Sequence, residues 1–270
     1  MFDLLSLPFA QNALIASLAL AIATGAIGSL VVVNRIVFLS GAMAHTAYGG
    51  VGAAFFFGFS PLLGAAIASV LAAIAMSAVT LNNRAQSDMI IGAIWAIGMA
   101  IGVIFIDFAP GYSGDLMSYL FGSLLAIETG DLLAFGAIDA IILAWVIVYY
   151  RKLLALAFDG DFAKSKGVKI APLYISLLVL SSLAIVIAIR VAGVMLVIAL
   201  LTLPVWIAQS YSNSLWKTMV LSAALSFAFM ICGFAFAVVF NVTSGAAIAL
   251  IAAVGLIVSL AARRLRFRTA

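Results

Sequence analysis

Charge is what this sequence has least of. Thirteen Lys or Arg and nine Asp or Glu are spread over 270 residues, 8% of the chain, whereas a soluble globular domain carries about a quarter. A soluble domain is excluded, and so is a nucleic-acid surface, because the net charge of +4 comes from isolated basic residues. The lone cysteine, Cys232, excludes an internal disulfide and a cysteine zinc cluster. No Lys or Arg precedes Arg35, so the expectation is an N-terminus without the basic region of a signal peptide.

Apolar residues take the place of charge. They make up 67% of the chain, and its mean hydropathy is +1.34. A run of about 20 apolar residues crosses a hydrocarbon core of about 30 Å, and the sequence reads as spans near 11–33, 36–58, 61–81, 88–108, 131–150, 173–189, 192–209, 217–240 and 245–262. Each must satisfy its own backbone in lipid, and Ala, Leu, Ile and Phe without strict alternation favour helices over barrel strands. The fold class is therefore an all-α polytopic membrane protein of eight or nine spans, a single domain over 1–270. No stretch has room for a soluble domain, so any energy source other than an ion gradient belongs to a separate polypeptide.

Lys and Arg mark the cytoplasmic side. Arg35, Arg84, the stretch from Arg151 to Lys169, Lys217 and the cluster Arg263, Arg264, Arg266 and Arg268 fall in alternate loops. The opposite loops hold Asp107, Asp115, Glu128 and Asp131, with Arg190 as the one basic exception. This predicts an external N-terminus and a cytoplasmic C-terminus. Between two spans, 157–170 is punctuated like a short helix. Asp159 or Asp161 can cap its start, Lys164 and Lys166 suit its C-terminal end, and Gly167 can supply the left-handed residue that closes it. Fewer than three turns are marginal alone in water, so this helix must pack on the protein's own inner surface or on a partner. Phe162 is the large apolar residue between Asp159 and Gly167. The stretch 114–127 is too short and too interrupted to span, and reads as an outer re-entrant or surface helix.

His45 is the only histidine. It stands about ten residues into its span, or about 14 Å from the inner face at about 1.5 Å per residue, which is near mid-membrane. Imidazole at that depth is a candidate ligand for zinc or manganese, or a hydrogen-bonding bridge between helices. Gly41, Gly49, Gly50 and Gly52 bare one face of the same helix, which admits a close neighbour or an ion. Asp139 lies about 12 Å from the outer face, at nearly the same depth. It reads as a second ligand, as a protonated contact between helices, or as a residue facing a different part of the bundle. Asp88 opens a span and reads as a cap.

Several stretches resemble one family. Phe158-Asp159-x-Asp161-Phe162-Ala163 followed by Gly167 resembles the coupling helix of the ABC permeases that import zinc and manganese. "VVVNRIVFLSGAMAHTAYGGVGAAF" (31–55), "SDMIIGAIWAIGMAIGV" (87–103), "GDLMSYLFGSLLAIETGD" (114–131) and "VAGVMLVIALLTLPVWIAQ" (191–209) are similar to further segments of that family, in the same order. The resemblance implies the metal/cobalamin-type permease fold and a transport subunit without enzymatic activity of its own. It implies a separate ATPase gripping Asp159, Asp161, Phe162, Ala163 and Gly167, an extracytoplasmic metal-binding protein and a homodimer. The location implied is the bacterial inner membrane, with no permanently bound cofactor. The cargo implied is Zn2+, Mn2+ or Fe2+, passing His45 and Asp139. The family pattern carries an aspartate four residues before its histidine, where this chain has Gly41. "NVTSGAAIAL" (241–250) and Val205-Trp206 also depart from the pattern.

Rival readings are a permease for haem, a siderophore or cobalamin, which shares the architecture, and a secondary transporter, which would carry more intramembrane ionisable sites. "GYSG" (111–114) matches the Gly-x-Ser-Gly of rhomboid-like proteases. Their serine opens a buried helix and needs a histidine in a later span, whereas His45 precedes Ser113.

Overall fold

The computed structural model describes residues 8–82, 87–109, 120–158 and 160–268. Helix α1 covers Pro8–Val33, α2 Val37–Phe57, α3 Pro61–Asn82, α4 Ser87–Phe108 and α5 Thr129–Phe158. The short α6 spans Gly160–Ser165, followed by α7 at Ile170–Ala192, α8 at Val197–Tyr211, α9 at Leu215–Phe240 and α10 at Ser244–Arg268. No strand occurs among the described residues. The structure thus has the all-α polytopic architecture expected of the composition.

Among the described residues seven helices are long and apolar enough to cross a membrane. The two further spans predicted from the sequence fall short for different reasons. Helix α2 has the length, 21 residues, but Ser40, His45, Thr46 and four glycines dilute its apolar character. Helix α8 has only 15 residues, with Pro204 inside it. Helix α5 runs in the other direction, 30 residues to Phe158 instead of ending at 150. Arg151 and Lys152, both exposed, ride on its last turns, because a helix emerging into water keeps its hydrogen bonds whatever its side chains.

The centre of the bundle is built from α1 and α7, the most enclosed of the helices that meet both criteria. Helix α7 carries an unbroken buried run from Ala184 to Ile189 and packs on α3, α2, α1 and α5. Helix α1 is interrupted by a π turn at Thr24–Gly28. There Thr24 Oγ1 donates to Leu20 O at 2.7 Å, and Ser222 Oγ of α9 donates to Gly25 O at 3.3 Å. Ser29 and Ser222 hydroxyls lie 3.3 Å apart. Hydroxyls thus meet carbonyls that a π turn leaves poorly paired. A Cβ at Gly25 would lie 2.5 Å from that of Ala223, and one at Gly28 2.7 Å from Leu201 O, so α9 and α8 approach the turn along bare backbone.

A second tight seam joins α2 to α3 and α4. Gly50 faces the carbonyl of Gly64, Gly49 that of Gly98 and Gly52 that of Gly102. Lipid offers no hydrophobic drive for helix association, so close backbone packing of this kind supplies the cohesion.

Candidate functional site

His45 projects from α2 between two features that the sequence placed far apart. The indole of Trp95, on α4, stacks on its ring, with centroids 4.3 Å apart and planes at 18°. Phe38, two turns earlier on α2, meets the same indole at 5.8 Å. Gly41 lies between them: a Cβ there would stand 3.7 Å from Trp95 Cζ3 and 2.7 Å from Ile198 Cδ1. The space that an acidic side chain would take at 41 is therefore filled by Trp95 and by Ile198 of α8. His45 is half-buried, and its Nδ1 is enclosed without a hydrogen-bond partner. Trp95 carried no functional weight in the sequence, because nothing in its spacing announces which residue of another helix it will cover.

Asp139 is 6% exposed, and its Oδ1 is buried without a partner. It lies on the stripe Phe135, Asp139, Ile142 and Val146 of α5, and α5 packs on α1 and α7. Helix α2 instead packs chiefly on α3 and α4. His45 and Asp139 thus stand on helices that share no main packing face. Among the described residues no three His, Cys, Asp or Glu side chains gather in one place.

At the basic end, the six-residue α6 follows α5 directly. It ends as the sequence predicted: Gly167 has φ +79°, Val168 N donates to Ala163 O at 3.1 Å and Gly167 N to Lys164 O at 3.0 Å. This paired bonding is the Schellman closure. Ala163 is fully buried, and α6 packs on α5 and α7, so the helix has its own inner surface to rest on. Lys164 and Lys166 are exposed. Asp159 lies outside the described residues, while the backbone of Asp161 and Phe162 lies within α6. Phe158, the last residue of α5, is 77% exposed and belongs with this surface. Tyr150 steadies the base of α5, its hydroxyl accepting from Trp216 N of α9 at 3.1 Å.

The opposite end explains the basic exception. Arg190 Nε donates to Asp131 Oδ2 at 3.0 Å, and its Nη2 donates to Ala126 O at 3.0 Å. The strap from 122 to 131 is held further by Leu124 N donating to Ser244 Oγ at 3.4 Å and Asn12 Nδ2 donating to Ile127 O at 3.2 Å. Of the predicted outer helix 114–127, residues 114–119 lie outside the described residues. Positions 120 and 121 are helical, and Leu124–Ala126 forms a 3-10 turn.

Comparison with known proteins agrees with this fold. The model of the ABC 3 transport family matches residues 6–263. The uncharacterised membrane protein slr2045 of Synechocystis is 39% identical, over 98% of this chain and 94% of its own. The manganese transport system membrane protein MntC of Listeria monocytogenes is 32% identical, over 93% of this chain and 89% of its own. Among solved structures, PsaBC from Streptococcus pneumoniae in complex with Fab superposes with a TM-score of 0.87 at 31% identity, over 96% of this chain and 93% of that one.

Proposed function

Because the chain belongs to the ABC 3 transport family, a multi-pass transport component rather than an enzyme, we propose that it is the membrane-spanning subunit of a bacterial importer for a divalent transition metal ion. Manganese or zinc is the first candidate and ferrous iron the next, since relatives are named for manganese transport. The N-terminus lies outside, the basic end faces the cytoplasm, and two copies flank the passage. A metal-binding protein delivers the ion at the Asp131 end.

The observation that carries this reading is α6, a capped helix too short to stand alone, docked on α5 and α7 beside the exposed Phe158. Its closure at Gly167 fixes Lys164 and Lys166 outward. A separate ATPase would use this knob as its grip, and displacement of α6 would pull directly on α5 and α7. Helix α7 then carries the motion across the centre of the bundle to Arg190 and the strap at the opposite end.

His45 supplies the contact in transit. Neutral imidazole is a good ligand for zinc and manganese, and a single side-chain ligand holds an ion loosely enough to let it leave. The remaining coordination positions fall to water, to backbone or to the second copy. The test is metal uptake in vesicles by the permease with its ATPase and binding protein. His45→Ala should abolish uptake while membrane abundance and ATPase association stay intact, and normal uptake by that variant would remove His45 from the passage.

A further inference from the structure

We infer that Trp95 is a specificity-determining shutter over His45, closed in this structure, whose swing off the imidazole is the step that admits the cargo ion. The inference rests on the reading of His45 as a cargo contact. It adds which residue decides what reaches that contact.

Three observations carry it. The indole lies face to face on the imidazole at 4.3 Å, which leaves no room between the rings for an ion or a water. The enclosed Nδ1 of His45 has no partner, and a buried polar atom without one is uncommon enough to need a reason. A shutter supplies it: the atom is masked in the closed position and gains a partner when the indole moves. Gly41, one turn before His45, carries no side chain, and the indole and Ile198 have settled against its bare backbone. Trp95 thus occupies volume that further ligands of an ion at His45 would need.

The shutter also has somewhere to go. A helical side chain leans over the turn N-terminal to its own Cα, and for Trp95 that turn contains Gly92. A Cβ added at Gly92 would meet nothing within 4 Å, so the turn before Trp95 is open on that side. On its other edge it rests on Phe38, itself 45% exposed. Trp95 is held by the stack, by one tilted aromatic contact and by partial packing on the core, and among the described contacts no hydrogen bond to its indole is seen. The aromatic pairing alone biases a rotamer equilibrium toward the closed position by about two- to tenfold, little enough for cargo to displace.

The lone histidine makes the test direct. Diethyl pyrocarbonate modifies imidazole, and mass spectrometry of the His45 peptide from the full permease complex reads one site. Trp95→Ala should raise the modification rate about two- to tenfold, and Trp95→Phe, which keeps a ring, should stay near the parent. In vesicles, Trp95→Ala should raise uptake of the larger Cd2+ relative to Zn2+ by a similar factor. An unchanged modification rate in Trp95→Ala overturns the shutter outright. A faster rate with an unchanged Cd2+ to Zn2+ ratio overturns its role in specificity. His45→Ala with normal uptake overturns the cargo contact instead, and leaves the shielding measurement standing.

Discussion

Arg190 offers the most exact test of how the external end is held. Arg190→Met keeps the aliphatic stem and removes the charge together with both donors, at side chains 14% and 16% exposed in the pair with Asp131. A hydrogen bond to a charged group contributes about 1.5–3 kcal/mol when buried, and an exposed ion pair about 0–1 kcal/mol. For this partly shielded pair, with its second bond to Ala126 O, about 2 kcal/mol is the reasonable middle. That corresponds to a local opening constant about 30 times larger. Hydrogen exchange resolves it: the amides of 124–132, including Leu124 bonded to Ser244 and Ala126 bonded to Ser123, should exchange about 30-fold faster. Those in the interior of α7 should not change. Asp131→Asn, which leaves the bond to Ala126 O in place, should produce a smaller loss, and the double variant little more than Arg190→Met alone, because both remove the same pair. Uniform acceleration across the bundle, or none in the strap, would refute the assignment of Arg190 as its local tie.

Gly167→Val places a β-branched residue at φ +79° where an added Cβ meets nothing within 4 Å, so its cost is conformational, about 1–2 kcal/mol. Copurified ATPase should fall about five- to thirtyfold, while Gly167→Asn, which tolerates the left-handed region, should retain most of it. Asp139→Asn should lower transport at unchanged membrane abundance, and unchanged uptake would confine Asp139 to packing between α5 and its neighbours. Gly50→Val drives a side chain into the Gly64 carbonyl and Ala68, backbone that cannot yield, and should destabilise by about 1–3 kcal/mol or more. Thermal unfolding in detergent measures this, with Gly92→Ala as the neutral comparison because its surroundings are open.

The elements that could be read from the chain are those whose cause is local. Apolar runs of about 20 residues mark helices wherever lipid is the solvent, and Gly167 after Lys164 and Lys166 marks a helix end because the left-handed turn is a property of one residue. Arg190 stood out as an exception to a charge rule, which signalled a partner without saying which. The rest depended on three-dimensional neighbours. Trp95 and His45 are fifty residues apart, and their stack follows from how Gly98 and Gly102 draw α4 against α2, a relation that no periodicity displays. Asp139 and His45 were matched in depth by counting residues, but depth is one coordinate, and helix neighbours supply the others. Helix α5 passes residue 150 because Arg151 ends the apolar run without ending the helix, whose backbone bonds persist to Phe158.

The π turn of α1 sets a phase relation between two halves of one helix. A π turn holds one residue more than the α-helical path it replaces, and each residue advances an α-helix by about 100°. The faces of Pro8–Ala23 and Ser29–Val33 are therefore offset by about that angle from a continuous helix. This lets the first half present Asn12 to Ile127 while the second presents Ser29 to Ser222. Deleting one residue within 24–28 would restore a regular helix of nearly the same composition and hydropathy. It would also turn one half about a quarter of a revolution against the other, so that only one of the two attachments could be kept.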